Sequence, residues 1–168
     1  ASAYTAFANK GVRVQPRFVT KIVDANGKVV VDNTAVKENR VTTEEVAKKM
    51  TSMLLTVYGS EGLGAPFSPA GKTIAGKTGT TEAINNDNGS RDQWMIGYTP
   101  DVVVATWMGY DQSGNYSLSA SSREGVGPLF KLEMEGLLQF TANTPFNVEA
   151  VKTKQNNKNN NTNNGVDQ

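Results

Sequence analysis

The segment Val102-Val103-Val104-Ala105-Thr106-Trp107-Met108 is apolar at both its odd and its even positions. Successive side chains of a strand point to opposite faces, so a strand of this kind has no face suited to water and must be covered on both. The chain therefore has to pack layers on either side of a sheet, which predicts an α+β fold of three layers, α-β-α. Gln93 to Thr99 alternates as a preceding strand, and Pro100-Asp101 supplies turn chemistry between the two. A hairpin is expected, and Trp94, Tyr98, Trp107 and Tyr110 on it are either cleft aromatics or, as is more usual for strands of a buried sheet, core.

A further strand is predicted at Thr73-Ile74-Ala75-Gly76-Lys77-Thr78-Gly79-Thr80-Thr81, led by a Gly-, Ser- and Pro-rich loop from Gly59 to Lys72. Glycine weakens a strand interior. Gly76 and Gly79 are therefore expected where another chain segment or an extended substrate comes close to the backbone. Ala3 to Asn9 reads as the last turns of a helix stopped near Gly11, so the opening looks like mid-domain sequence. Arg13 to Asp24, the turn Asp24-Ala25-Asn26-Gly27 and Lys28 to Val31 read together as another hairpin. Thr42 and Glu45 have capping-box spacing, opening a helix that packs Val46, Met50, Met53, Leu54 and Val57 and ends near Tyr58. A last helix is predicted from Pro128 to Phe140, with Leu129, Leu132, Leu137, Leu138 and Phe140 on its apolar side and Pro128 in its first turn. Between these elements, Asp111 to Gly125 is a polar, Ser-rich connection in which Arg123 and Glu124 read as a solvated pair.

Composition narrows the chemistry. The sequence contains neither cysteine nor histidine, which removes cysteine nucleophiles, Ser-His-Asp triads, the usual zinc sites and structural disulfides. Lys+Arg 17 against Asp+Glu 16 leaves a formal charge of +1, which implies no attraction to nucleic acid or anionic lipid. No apolar run reaches membrane-spanning length, and Ala1-Ser2-Ala3-Tyr4 has neither part of an export signal, so any signal or anchor is expected outside this chain. Beyond about Lys152 the sequence is Asn-rich and too polar to bury anything. Residues 1–150 are thus read as domain and 151–168 as a disordered tail.

Lys77-Thr78-Gly79-Thr80 matches the KTG box of active-site-serine penicillin-binding proteins and serine β-lactamases. The surroundings extend the match: Ala3-Tyr4-Thr5-Ala6-Phe7-Ala8-Asn9-Lys10-Gly11 upstream, then Asp92 to Asp101 and Val104 to Asp111 downstream. Over roughly residues 1–145 the chain resembles the C-terminal half of the transpeptidase domain of class A, bifunctional penicillin-binding proteins. The resemblance implies a penicillin-binding protein/serine β-lactamase-like sheet with antiparallel strands. It also implies a peptidoglycan transpeptidase that acts on D-Ala-D-Ala stem peptides through a serine acyl-enzyme and is a target of β-lactams. DD-carboxypeptidase, serine β-lactamase or an inactive peptidoglycan-binding module are the alternatives.

By the same resemblance Lys77 donates charge-assisted hydrogen bonds near the serine, and Thr78 and Thr80 help to hold the substrate's terminal carboxylate. Gly79 lets the substrate approach, and the Thr80 N–H takes the place of an oxyanion donor. No cofactor or metal is implied. The family's Ser-x-x-Lys and Ser-x-Asn motifs lie before the KTG box, yet no Ser-x-x-Lys occurs in this sequence. Ser113-Gly114-Asn115 has the letters of the second motif but follows the box and is read as coincidence. An N-terminal part of the same domain, outside this chain, is expected to supply both motifs and an anchor to the extracytoplasmic face of the membrane.

Overall fold

The computed structural model describes residues 1–83, 89–112 and 116–149. Ser113-Gly114-Asn115 and the Asn-rich tail lie outside the described residues. Ten elements follow in order: α1 (Thr5–Ala8), β1 (Val12–Val14), β2 (Lys21–Val23), β3 (Val29–Asp32), β4 (Glu38–Arg40), α2 (Glu44–Leu55), β5 (Ala75–Glu82), β6 (Ser90–Tyr98), β7 (Val103–Gly109) and α3 (Val126–Leu138).

The sheet that matters for the site has the order β5-β6-β7. All pairing is antiparallel, with Lys77 opposite Ile96 and Ile96 in turn opposite Ala105, and Gly79 opposite Trp94 and Trp94 in turn opposite Trp107. The expected turn at Pro100-Asp101 is closed by a hydrogen bond from Thr99 N to Val102 O (2.9 Å) and by one from Asp101 N to the Thr99 hydroxyl (3.1 Å). On one face Met95, Gln93, Val104 and Thr106 are buried beneath α3, which presents Val126, Phe130, Met134 and Leu138 at four-residue spacing. Gly97 sets the closeness of that contact, because a Cβ there would stand 2.4 Å from Phe130 Cζ. On the other face the fully buried Tyr98 places its hydroxyl 2.9 Å from Thr51 of α2 and its ring 6.2 Å from that of Tyr4. Burial pushes the Tyr98 hydroxyl up to about 12 and raises Tyr58 in the same direction. Helices on both faces of an antiparallel sheet give the α+β, α-β-α arrangement that the two-faced apolar strand requires.

Several local expectations are corrected. Arg13 to Asp24 is not one strand: only β2 forms a hairpin with β3, turning at Gly27 (φ 81°), while β1 pairs with β4. Helix α2 is capped one residue later than the capping box implied, by the Thr43 hydroxyl accepting from Val46 N at 3.2 Å, and it stops at Leu55 instead of Tyr58. Its most buried residues are Ala47 and Thr51, small enough to sit against neighbouring backbone, whereas Val46 and Met53 face outward and Met50 is half-buried. In α3 the buried positions are Val126, Phe130, Met134 and Leu138, while Leu129, Leu132, Leu137 and Phe140 are exposed. Of the aromatics expected in the core only Tyr98 is buried; Trp94, Trp107 and Tyr110 are 44%, 38% and 44% exposed. Glu124 does not pair with Arg123 among the described residues. Its carboxylate accepts from Ser121 N (3.2 Å) and Ser121 Oγ (2.9 Å), which holds it below the usual carboxylate range.

Candidate active site

Strand β5 is an edge strand: β6 lies on one side and no described strand on the other. An edge of this kind presents backbone N–H and C=O groups to which an extended peptide can add as a further strand. Along it Ala75 and Gly76 are buried, Lys77 is exposed, Thr78 and Gly79 are half-buried and Thr80 is exposed again. The strand thus emerges from the core at Lys77. All four residues read from the sequence as the site, Lys77, Thr78, Gly79 and Thr80, lie on this emerging stretch, with Lys77 and Gly79 on one face and Thr78 and Thr80 on the other.

The glycines of this strand have different causes. A Cβ on Gly76 would lie 1.9 Å from Ile96 O and 2.8 Å from Tyr58 Cε2, so the chain's own packing requires glycine there. A Cβ on Gly79 would meet nothing nearer than Trp94 Cβ at 3.5 Å, an ordinary contact. Of the two, only Gly79 leaves room for a methyl group.

Lys77 Nζ donates to Thr78 O at 2.7 Å, which leaves two of its three protons for other acceptors. Beside it, Trp94 and Trp107 have ring centroids 6.2 Å apart. Trp107 is held by Asp92, whose carboxylate accepts from Trp107 Nε1 (3.0 Å) and from the Thr81 hydroxyl (2.9 Å). Lys77, Gly79 and these indoles share the face on which Tyr98 meets Thr51 of α2.

Sequence reasoning missed the residues around Thr80. The Thr80 hydroxyl lies 3.1 Å from that of Ser122, a residue 42 positions away in the connection before α3. That connection is tied to the sheet by Gln93, the cross-strand neighbour of Thr80, which is completely buried. Gln93 Nε2 donates to Ala120 O (2.7 Å) and Ser90 Oγ (2.8 Å), and its Oε1 accepts from Val126 N (3.3 Å). A buried amide with all of these partners is a clue that only the folded chain reveals.

Residues 1–131 match the family described as the penicillin binding protein transpeptidase domain. The chain belongs to this family. It is 41% identical over 150 residues to penicillin-binding protein 2a of Streptococcus pneumoniae, an alignment covering 89% of this chain and 20% of that protein. To penicillin-binding protein 1A of Rickettsia prowazekii it is 35% identical over 169 residues, covering 88% and 21%. These relatives support the class A resemblance, and the chain spans about a fifth of their length. Among solved structures it resembles the penicillin-binding protein PonA1 from Mycobacterium tuberculosis, with a TM-score of 0.70 and 31% identity over 90% of this chain and 40% of that one. The same protein has also been solved in complex with penicillin V, again at a TM-score of 0.70.

Proposed function

We propose that this chain forms the KTG-bearing part of a serine D-Ala-D-Ala transpeptidase that cross-links peptidoglycan stem peptides and is acylated by β-lactams. The observation that carries this reading is Lys77-Thr78-Gly79-Thr80 on an exposed edge strand, with room for a Cβ at Gly79 that the fold's own packing does not fill, in a chain of the transpeptidase family. In the reaction a serine oxygen bonds to the carbonyl carbon of the penultimate D-Ala, and the C–N bond breaks. The terminal D-Ala leaves with a proton on its amine. An amine of a neighbouring stem peptide then bonds to the acyl carbon, loses a proton and releases the serine.

The residues of this chain bind and polarise. The free edge of β5 aligns the peptide as an added strand, and Gly79 allows its close approach. Thr78 and Thr80 hold the donor's carboxylate through hydroxyl protons, and the Thr80 N–H serves the developing oxyanion. Lys77 places its positive charge toward the serine and the leaving group. The serine, its Ser-x-x-Lys lysine and the Ser-x-Asn motif come from a segment outside these residues, which also covers Trp94 and Trp107. Burial of these half-exposed indoles is favourable at about 25 cal/mol per Å² of apolar surface.

No described helix is long and apolar enough to cross a membrane. The anchor to the extracytoplasmic membrane face is assigned to the rest of the protein, and residues 151–168 to no step of the chemistry. Mass spectrometry of the intact protein after benzylpenicillin treatment should show one penicilloyl adduct, on a serine outside residues 1–168. An adduct on a serine of this chain, or none at all, would overturn the reading.

A further inference from the structure

We propose that Ser122 is a further substrate-binding residue, which together with Thr80 forms a hydroxyl pair that holds the carboxylate of the acyl donor; this rests on the function proposed above. Thr80 Oγ1 and Ser122 Oγ stand 3.1 Å apart. Each hydroxyl brings one proton and two lone pairs, so one proton is spent between the two oxygens and the other remains for an outside acceptor. If Ser122 donates to Thr80, the Thr80 proton is turned outward; if Thr80 donates, the Ser122 proton is. In both arrangements the outward O–H is polarised by the hydrogen bond behind it, which strengthens its bond to an anionic oxygen. A carboxylate only accepts, so it is the ligand that completes the pair.

The pair is held by buried groups. Ser122 is half-buried and its carbonyl accepts from Gly127 N at 2.9 Å, tying it to the first turn of α3. Gln93 fixes the connection on both sides of Ser122, at Ala120 O and at Val126 N, from the register position opposite Thr80. Gly125 leaves room for this clamp: a Cβ there would lie 2.7 Å from Gln93 Oε1 and push the amide. One cross-strand position of the sheet therefore supplies Thr80 on β5 and, through the Gln93 amide on β6, the placement of Ser122. Gln93 is a positioning residue in this arrangement.

The test uses the intact protein and two probes, benzylpenicillin and its methyl ester, which differ in the carboxylate charge. Ser122→Ala leaves the Thr80 proton for the carboxylate but removes the hydrogen bond that polarises and orients it, so acylation by benzylpenicillin should slow about three- to tenfold while the ester rate stays within about twofold. Ser122→Thr should restore the acid-to-ester ratio. Thr80→Ala combined with Ser122→Ala should be slower with benzylpenicillin than either single variant, because each single variant keeps one hydroxyl proton for the carboxylate and the double variant keeps none. The ratio of the two probes is read within each variant, so partial unfolding does not imitate the effect. Equal losses with both probes, or an unchanged benzylpenicillin rate while the parent is acylated normally, overturn the role of Ser122 alone. Failure of both probes to acylate the parent overturns the transpeptidase reading and this inference with it.

Discussion

Replacing Gly76 and Gly79 by alanine separates packing from substrate access on a single strand. In Gly76→Ala the new methyl falls 1.9 Å from Ile96 O, a backbone atom of the neighbouring strand that cannot swing aside. Reaching ordinary contact demands a retreat of about 1.5 Å. That displacement stretches the β5–β6 ladder at this point, where each lost hydrogen bond is worth about 0.5–1.5 kcal/mol net. Overpacking against Tyr58 adds about 1–3 kcal/mol, and the lower chain entropy of alanine returns about 0.5–1 kcal/mol. With one ladder bond lost the net loss is about 0.5–4 kcal/mol, centred near 2, which should lower the melting temperature of the intact protein's transpeptidase domain by about 5 °C. In Gly79→Ala the methyl finds 3.5 Å to Trp94 Cβ, so the melting temperature should hold within about 2 °C, while acylation by benzylpenicillin slows about tenfold or more because the methyl occupies the approach. The assays are differential scanning calorimetry and stopped-flow acylation on the same preparations. A Gly76→Ala protein that melts like the parent, or a Gly79→Ala protein destabilised as strongly as Gly76→Ala, refutes this division of roles.

Phe130→Ala should destabilise the protein by about 3–5 kcal/mol in denaturant titration, since Phe130 is completely buried and stacks on Tyr58 at 5.5 Å between centroids; a loss under 1 kcal/mol would contradict its place in the core. Thr43→Ala should cost about 1 kcal/mol by the same measurement, through loss of the hydroxyl that caps α2, and Thr43→Ser should recover most of it. Stability should also fall on the alkaline side. Burial lifts Tyr98 from 10.0 to about 12 and raises Tyr58 as well. The unfolded chain therefore loses these protons first, and the contribution, intact below pH 10, disappears as pH rises toward 12. The slope should approach about 1.4 kcal/mol per pH unit for each tyrosine, and Tyr58→Phe should reduce it; an unchanged slope would show that another group titrates.

What could be read from the sequence was whatever depends on local pattern. The hairpin around Pro100-Asp101 followed from two apolar runs and a turn, and the three layers followed from the two-faced strand Val102 to Met108. Lys77 to Thr80 stood out because glycine inside a strand asks for a reason. Yet periodicity cannot say which neighbour supplies that reason, and Gly76 and Gly79 turned out to have different ones. The helix faces were misjudged for a related cause. In α2 the small residues Ala47 and Thr51 go inward and Val46 and Met53 stay out, so hydrophobicity alone pointed the wrong way. Trp94 and Trp107 were expected in the core, and the described residues leave them half-exposed beside Lys77. Ser122 was illegible because its significance is a contact across 42 residues, set by a glutamine on a different strand.

The most direct measurement is the second-order rate constant for acylation of the intact protein by benzylpenicillin, with Lys77→Ala beside the parent and the melting temperature of each recorded. Lys77 is exposed on the edge strand, so its removal should change stability by no more than about 0.5 kcal/mol. Losing its charge-assisted hydrogen bonds should slow acylation roughly ten- to a hundredfold. Acylation at the parental rate, or a loss that merely tracks unfolding, would make Lys77 structural and contradict the placement of the active site on this strand.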